Sequence, residues 1–281
     1  MDDAKIRELQ ILATKVRIHV IEGTFNAKSG HPGGSLSIAD LVTYLYSEKM
    51  NVDPKNPKMQ GRDRLVLSKG HCAPALYGIL AEKGFFDKEE IKTLRHIGSI
   101  LQGHPDMNKT PGIDMSTGSL GQGISAACGM ALAGKIDNSD YKVYTIVGDG
   151  ESEEGEVWEA AMFAAHKNLD NLIAIIDYNG LQIDGTIEEV CSPLPFDKKF
   201  EAFGWHVLTM DAHDFNDIER AFSEAEKLSG KPVAIIQRSV KGKGVSFMEN
   251  QVGWHGKATN AEEYEIAMAE LKAKLAELEG K

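Results

Sequence analysis

The 281-residue sequence lacks the features that mark several protein classes. Its three cysteines, Cys72, Cys128 and Cys191, are odd in number and widely spaced, which excludes a disulfide framework and predicts a reducing, cytoplasmic setting. No apolar run is long enough to span a membrane, and the acidic start "MDDAKIRELQ" lacks the apolar core of a signal peptide. Positive charge is also scarce. The net charge of −11 argues against nucleic acid and anionic lipid as partners.

The chain has no linker, repeat or low-complexity segment, which predicts a single domain over residues 1–281. Apolar runs predict strands at 63–68, 141–147, 171–177, 205–210 and 232–237. Apolar periodicity predicts helices at about 6–20, 36–48, 73–96 with a break at Gly84, 153–168, 215–225 and 264–278, and a helix of small residues that follows residue 121 and ends at about 133. Thr259 and Glu262 are placed as a capping box for the last helix. Several strands are continuously apolar and alternate with helices from residue 141 onward. This pattern predicts an α/β fold with helices on both faces of a parallel sheet.

An acidic turn follows the predicted strand at 141–147. Gly148-Asp149-Gly150 ends this strand, and Asp177-Tyr178-Asn179 ends the next one. Because ligands of parallel sheets lie beyond the carboxyl ends of the strands, we expect Asp149 and Asn179 to meet at one edge. Two oxygen donors suit a hard cation such as Mg²⁺ or Ca²⁺, which would bridge the carboxylate to a phosphate. The glycines and the amides that open helix 153–168 would let that phosphate approach the main chain.

Common phosphate-binding motifs do not match this turn. "GDGESEEG" is not G-x-G-x-x-G, and no G-x-x-x-x-G-K-[ST] occurs in the chain. On spacing alone, a second interpretation stays open, in which an acidic surface loop opens a helix and Asp149 caps it. We expect Glu151 and Glu153 to be solvated, and we interpret the "KGKG" loop with Lys241 and Lys243 either as flexible surface or as a sugar phosphate contact.

Five further motifs occur in one order along the chain: "SGHPGG" (29–34), "SKGH" (68–71), "QGHPD" (102–106), "TGSLGQG" (117–123) and "WHG" (254–256). Together with the turn at Asp149 and with Asn179, which resemble the thiamine diphosphate motif, they resemble transketolase. The resemblance runs from about residue 15 to 260. It implies the thiamine diphosphate-binding fold, with thiamine diphosphate and Mg²⁺, or alternatively Ca²⁺ or Mn²⁺, as cofactors.

The resemblance also implies roles for individual residues. The metal would be held by the side chains of Asp149 and Asn179 and by the carbonyl of Leu181. The diphosphate would be contacted by His71, Gly150, Asn179 and His255. The cofactor rings would be lined by Gly118, Ser119, Leu120 and Ile183, with Glu154 beneath the cofactor near a subunit interface. Ser119 stands where the family more often has proline.

Catalytic roles are implied for three histidines in glycine-rich loops. His31 and His255 would move the proton of the donor's C3 hydroxyl, and His104 would bond the hydroxyl on its C1. A histidine of near-neutral pKa can exchange protons with hydroxyls, which supports these roles separately. The remaining histidines match no motif, and we expect structural or surface positions for His19, His96, His166, His206 and His213. We expect Cys72 to be a small buried hydrophobe.

The resemblance covers only the diphosphate-binding half of transketolase. The pyrimidine-binding and C-terminal domains, with the glutamate that activates the cofactor, are therefore expected on a partner chain, in a dimer of heterodimers. The implied activity is transfer of a two-carbon ketol unit between sugar phosphates, as in the pentose phosphate pathway. Alternatives are the α subunit of a 2-oxoacid dehydrogenase E1, part of a deoxyxylulose phosphate synthase-like enzyme, or a non-catalytic cofactor-binding subunit. The full histidine set argues against the first and the last.

Overall fold

The computed structural model describes all residues from 1 to 281. Five strands form one sheet: β1 (Arg64–Leu67), β2 (Val143–Gly148), β3 (Leu172–Tyr178), β4 (His206–Asp211) and β5 (Val233–Arg238). Their spatial order is β1-β2-β3-β5-β4, and every neighbouring pair is parallel. All five predicted strands are present, so the prediction of a parallel sheet is confirmed.

Ten α-helices surround the sheet: α1 (Asp3–Ala27), α2 (Pro32–Leu36), α3 (Ala39–Tyr44), α4 (Ala73–Lys83), α5 (Gln122–Ile136), α6 (Gly155–His166), α7 (Ile187–Val190), α8 (Phe196–Ala202), α9 (Phe215–Ala225) and α10 (Ala261–Glu279). Short 3₁₀ turns lie at Gly70–Cys72, Lys88–Thr93, Gly150–Glu153 and Val252–Trp254, and a π-helical turn, Leu45–Lys49, extends α3. None of the helices is both long and apolar enough to cross a membrane.

The sheet separates two apolar cores. Alternate residues of β1 show the division, because Leu65 and Leu67 belong to one core while Val66 belongs to the other. The larger core, of 47 buried residues, packs against α1, α3, α4, α9 and α10. The smaller core, of 20 buried residues, packs against α5, α6 and α8. Helices therefore cover both faces, as the continuously apolar strands predict.

Three predicted helix boundaries are corrected by the structure. The helix predicted at 73–96 ends at Lys83, where Gly84 adopts a left-handed conformation with φ of 84° and caps it. The helix predicted at 36–48 begins at Ala39. The predicted capping box is one residue too early: the side chain of Asn260 accepts from the amide of Glu263, and Glu263 accepts from the amide of Asn260. Thr259 is instead buried.

The strand register aligns the functional segments at one edge of the sheet. In the pairing of β2 with β3, Gly148 lies opposite Asp177, so the turns that follow these two strands are neighbours. β1 ends at Leu67, directly before the "SKGH" motif, and β5 ends at Arg238, before the "KGKG" loop. Parallel strands place all four of these segments at the same carboxyl edge.

Candidate cofactor and active site

Asp149 joins the two turns at this edge. Its Oδ1 accepts from the amide of Gly150 at 2.9 Å, and its Oδ2 accepts from the amides of Asn179 at 2.9 Å and Gly180 at 2.6 Å. Burial and the charge of Asp177 raise the pKa of Asp149 to about 6, although the main-chain donors lower it. Asp149 does cap the short turn that begins at Gly150, but it is buried rather than part of a surface loop.

The amide side chain of Asn179 lies beside this carboxylate. Its Oδ1 accepts from the amide of Leu181 at 3.1 Å, and its Nδ2 donates to Asp177 at 3.2 Å. The Leu181 carbonyl accepts from Lys241 at 2.9 Å. The structure thus brings together all three oxygen groups predicted for the metal. Their chemistry fits a hard divalent cation, because each is an oxygen donor and carbonyl oxygens have two lone pairs.

A cavity of about 210 Å³ opens beside these groups. Its lining includes the predicted site residues His71, Leu120, Asp149, Gly150, Asn179, Leu181, Ile183 and His255, together with Gly34, Lys69, Gly148, Glu151, Gln182 and Lys241. Leu120 and Ile183 are apolar yet 40% and 61% exposed. Gly118 and Ser119 line a neighbouring cavity of about 240 Å³. A larger cavity, of about 630 Å³, lies elsewhere, between residues 55–62 and 107–114, and none of the predicted site residues lines it.

Glycine keeps this cavity open at its walls. A Cβ added to Gly34 would lie 2.8 Å from the Cys72 sulfur, and one added to Gly150 would lie 3.1 Å from the Gln182 side chain. A side chain at Gly34 would press on Cys72, Lys69 and His71, and one at Gly150 would press on Gln182. The bare main chain, two lysines and the histidines fit an anion such as a diphosphate. The residues present therefore fit both a divalent cation and a diphosphate group.

The four motif histidines form one cluster, and two of them, His71 and His255, line the cavity. The ring centroid of His31 lies 5.1 Å from that of His71, 5.6 Å from that of His255 and 6.4 Å from that of His104. The rings of His71 and His255 are stacked at 5.2 Å. These side chains come from segments far apart in sequence, so the cluster exists only in the folded chain.

Burial lowers the pKa of every histidine in the cluster. The pKa of His31 falls to about 4 through burial and the charges of Arg95, His104 and Lys241, and that of His255 falls to about 3 through burial, Lys241, His31 and Lys69. The pKa values of His71 and His104 are lowered by the same kinds of contact. All four rings are therefore neutral at pH 7, and each has one nitrogen that accepts and one that donates. The Nδ1 of His31 is buried without a partner.

Glu154 and Glu151 have different surroundings in the folded chain. Glu154 is exposed and does not line the cavity, although its Cβ lies 2.8 Å from where a Cβ on Gly121 would stand. Glu151, expected to be solvated, is buried and accepts from Ser68, from the Gly121 amide and from the Gly148 amide. The expectation for Glu151 is wrong because three donors converge on its carboxyl group. Glu153 is half-buried and accepts from Gln182.

Lys241 is a site residue for which the sequence leaves two interpretations open. It is 2% exposed, so the interpretation of its loop as flexible surface is wrong. Its Nζ lies 2.9 Å from the Leu181 carbonyl and 2.9 Å from Nδ1 of His255. Since an ammonium can only donate, His255 accepts at Nδ1 and has its proton on Nε2. Burial lowers the pKa of Lys241 to about 8.

A second buried lysine, Lys69, pairs with Asp177 at the floor of the site. Asp177 accepts hydrogen bonds from five side chains: Lys69, Ser37, Asn179, Gln237 and Ser239. Lys69 also donates to the Gly34 carbonyl at 3.1 Å. One sequence signal indicates this cluster, because a carboxylate ending the apolar run "NLIAIID" has to find partners.

Arg95 places a cation between two of the histidine loops. Its guanidinium donates to the Ser29 hydroxyl at 3.2 Å and to the Gly103 carbonyl at 3.4 Å. No carboxylate lies within 4.0 Å of this guanidinium, so Arg95 forms no ion pair within the chain. Of the remaining expectations, Cys72 is buried, and burial raises the pKa of its thiol to about 11, which leaves it protonated.

Comparison with known proteins agrees with this site. A family model described as the transketolase thiamine diphosphate-binding domain matches residues 9–276. A 6-deoxy-6-sulfo-D-fructose transketolase subunit from Clostridium sp. (strain MSTE9) is 48% identical over 265 residues, covering 94% of this chain and 96% of that protein. An apulose-4-phosphate transketolase subunit from Phocaeicola vulgatus is 46% identical over 275 residues, covering 98% of each.

Full-length transketolases match over less than half of their own length. The human enzyme is 42% identical over 257 residues, which are 91% of this chain and 41% of the human one. The structure of Campylobacter jejuni transketolase superposes with a TM-score of 0.89 at 32% identity, covering 99% of this chain and 46% of that one. The chain therefore belongs to the transketolase family, in which it corresponds to the N-terminal thiamine diphosphate-binding domain.

Proposed function

We propose that this chain is the diphosphate-binding subunit of a split transketolase, which transfers a two-carbon ketol unit from a ketose phosphate to an aldose phosphate. One observation carries the proposal: four neutral histidines form a cluster, and two of them, His71 and His255, line a cavity whose wall holds Asp149 and Asn179. Cofactor binding alone requires no cluster of proton acceptors, which disfavours a purely binding subunit. The match to nearly the full length of two proteins named as transketolase subunits supports the split arrangement.

The residues at the cavity wall would hold the cofactor. Asp149, Asn179 and the Leu181 carbonyl would take a divalent metal, for which Mg²⁺ is the first candidate. His71, Gly150 and His255 would contact the diphosphate, while Lys241, which forms no ion pair with a carboxylate, would add a positive charge. Thiamine diphosphate, when bound, supplies a nucleophilic carbon that can accept a ketol unit.

Gly118, Ser119, Leu120 and Ile183 would lie along the cofactor rings. Leu120 and Ile183 leave apolar surface exposed at the mouth of the cavity, where a ring and a partner chain would cover it. Glu154, exposed at the start of α6, would face the same subunit interface. A partner with the pyrimidine-binding domain and the activating glutamate would complete the site, in a dimer of heterodimers.

The histidines would act on the donor sugar. His31 is half-buried and neutral, so its ring can accept the proton of the C3 hydroxyl. His255 is also neutral, but its Nδ1 accepts from Lys241, so it would accept a proton only once Lys241 turns to the diphosphate. An incoming diphosphate would offset the positive charges of Lys241 and Lys69 and thereby raise the basicity of His255. His104 would bond the C1 hydroxyl, and the unpaired guanidinium of Arg95 beside it suits an anionic substrate.

The identity of the sugars would be decided largely by contacts on the partner. The relatives are named for two different sugars, 6-deoxy-6-sulfo-D-fructose and apulose 4-phosphate, so a role in the pentose phosphate pathway is one of several metabolic settings for this architecture. We infer a cytoplasmic location from the three free thiols, of which Cys191 is exposed.

The test is reconstitution. The purified chain alone, with thiamine diphosphate and Mg²⁺, should transfer no ketol unit from xylulose 5-phosphate to ribose 5-phosphate or from fructose 6-phosphate. A mixing titration with the complementary chain should restore transfer, and a partner with glutamine for its activating glutamate should assemble but stay inactive. Pyruvate as donor would identify a 2-oxoacid dehydrogenase instead. Turnover by the isolated chain at the rate of the mixture would contradict the split arrangement.

A further inference from the structure

The position of Lys241 depends on a short loop that follows β5. Residues 240–244 contain two glycines in left-handed conformations, with φ of 80° at Gly242 and 94° at Gly244. The Lys241 ammonium has no carboxylate within 4.0 Å, and its contacts are a carbonyl and a neutral ring. A flexible four-carbon stem on a glycine-rich loop does not hold an ammonium in a buried place by itself. The main chain of the loop is therefore held from outside. Two main-chain bonds contribute, because Gly242 donates to the Gly33 carbonyl and Asn250 donates to the Lys241 carbonyl, each at 2.9 Å, and side chains hold the loop on either side of them.

His213 fixes the loop on the side before Lys241. It follows β4, and because β4 pairs with β5 in parallel, it lies next to the loop that follows β5. Its Nε2 accepts from the amide of Val240 at 3.0 Å, and its Nδ1 lies 2.7 Å from Oδ2 of Asp40. Since Val240 donates to Nε2, the ring proton is on Nδ1 and is donated to Asp40.

Arg17 fixes the loop on the side after Lys241. Its Nε donates to the Lys243 carbonyl at 3.0 Å, and its two terminal nitrogens bind both oxygens of Asp40. Asp40 is buried and is thereby shared by Arg17 and His213. None of the three side chains lines the cavity. They come from α1, α3 and the turn after β4, so one buried carboxylate links three elements to the loop.

We propose that His213, Asp40 and Arg17 are positioning residues that hold the main chain on both sides of Lys241, so that its ammonium reaches the Leu181 carbonyl and His255. The inference rests on the proposed function, because Lys241 matters only if an anion and a cation are bound at this edge. It assigns a binding role to a network that touches neither ligand. A network that served stability alone would leave ligand affinity unchanged in any variant that stays folded.

The test is calorimetric titration of the full chain with inorganic pyrophosphate in the presence of Mg²⁺, with thermal unfolding measured for each variant. His213→Phe, which removes both hydrogen bonds, should weaken pyrophosphate binding about tenfold. His213→Gln, which supplies one donor and one acceptor, should restore most of the affinity. His206→Phe, at the other end of β4, is the matched control and should bind like the unmodified chain.

A double-mutant cycle separates positioning from general damage. Lys241→Met alone should weaken binding about tenfold or more, and His213→Phe should add almost nothing in that background, because it acts through Lys241. Arg17→Lys, which keeps the charge beside Asp40 but loses the bond to Lys243, should weaken pyrophosphate binding about threefold. If His213→Phe fails to fold, the affinities of Arg17→Lys and His213→Gln test the positioning role instead. Additive effects in the cycle, or full affinity in His213→Phe and Arg17→Lys, would overturn this inference alone. No pyrophosphate binding by the unmodified chain would overturn the proposed function with it.

Discussion

Glu151 offers a direct test of the site's internal architecture. Its Oε1 accepts from the Ser68 hydroxyl and from the Gly121 amide at 2.9 Å, and its Oε2 accepts from the Gly148 amide at 2.8 Å. The carboxyl group thus ties the end of β1 and the loop before α5 to the end of β2. Burial raises its pKa, and the three donors oppose that shift. Replacing it should loosen the 117–121 loop, on which Gly118, Ser119 and Leu120 lie.

The expected losses follow from the donors left without an acceptor. Glu151→Ala leaves two buried amides unpaired, at about 1–3 kcal/mol each, while the Ser68 hydroxyl can rotate to another partner. We therefore expect about 3–5 kcal/mol lower free energy of unfolding. In Glu151→Gln the remaining oxygen can keep one pair of donors, but the new amide group then faces the N–H of Gly148. That single conflict predicts a loss of about 1–3 kcal/mol.

Urea unfolding followed by circular dichroism measures both losses. Glu153→Gln is the matched control, because Glu153 is two residues away, half-buried, and makes one side-chain contact, with Gln182. We expect it to change the free energy of unfolding by less than about 0.5 kcal/mol. If Glu151→Ala were as stable as Glu153→Gln, the three-donor arrangement could not be what holds these segments together.

Three other outcomes are expected. Asp149→Ala should abolish the Mg²⁺-dependent part of thiamine diphosphate affinity in calorimetry, and unchanged binding would mean that the metal lies elsewhere. In steady-state kinetics of the reconstituted enzyme, His104→Ala should cost roughly 1–2 kcal/mol of transition-state binding and His255→Ala more, since the latter would contact both diphosphate and substrate; equal, negligible effects would contradict these roles. Burial raises the pKa of Asp40, but Arg17 and His213 more than offset it, so its contribution to stability is complete above the unfolded pKa near 4 and is lost as pH falls further. Asp40→Asn should therefore flatten the acid decline of Tm, and an unchanged slope would count against that assignment.

The sequence predicts the sheet and the meeting of Asp149 with Asn179 well because both depend on local signals. Continuous apolar runs mark the buried parallel strands, and the strand ends place Asp149 beside Asn179 without any knowledge of the helices. The histidine motifs converge as the resemblance to transketolase implies. Helix ends are predicted less well, since the cap at Asn260 differs from the predicted one by a single residue.

The buried charges could not be predicted from local patterns. Glu151 and Lys241 stand in runs that look solvated, and what buries each is a segment distant in sequence: Ser68 and Gly121 for the first, Leu181 and His255 for the second. Burial of an ionisable group depends on partners supplied by the whole fold. A charged tetrapeptide such as "KGKG" therefore predicts a surface loop from sequence alone, and only the folded structure shows that Lys241 is buried.

The five donors around Asp177 restrict how this family of sequences can change. They come from residues 37, 69, 179, 237 and 239, so a substitution at Asp177 would orphan groups in several distant segments at once. Exchanging Lys69 and Asp177 together for apolar residues would remove the charges but leave two hydroxyls and two amides facing a hydrocarbon. Neither the single substitution of Asp177 nor its joint substitution with Lys69 would therefore leave the stability of the fold unchanged. We therefore expect directed evolution of this chain to find no tolerated substitution at Asp177.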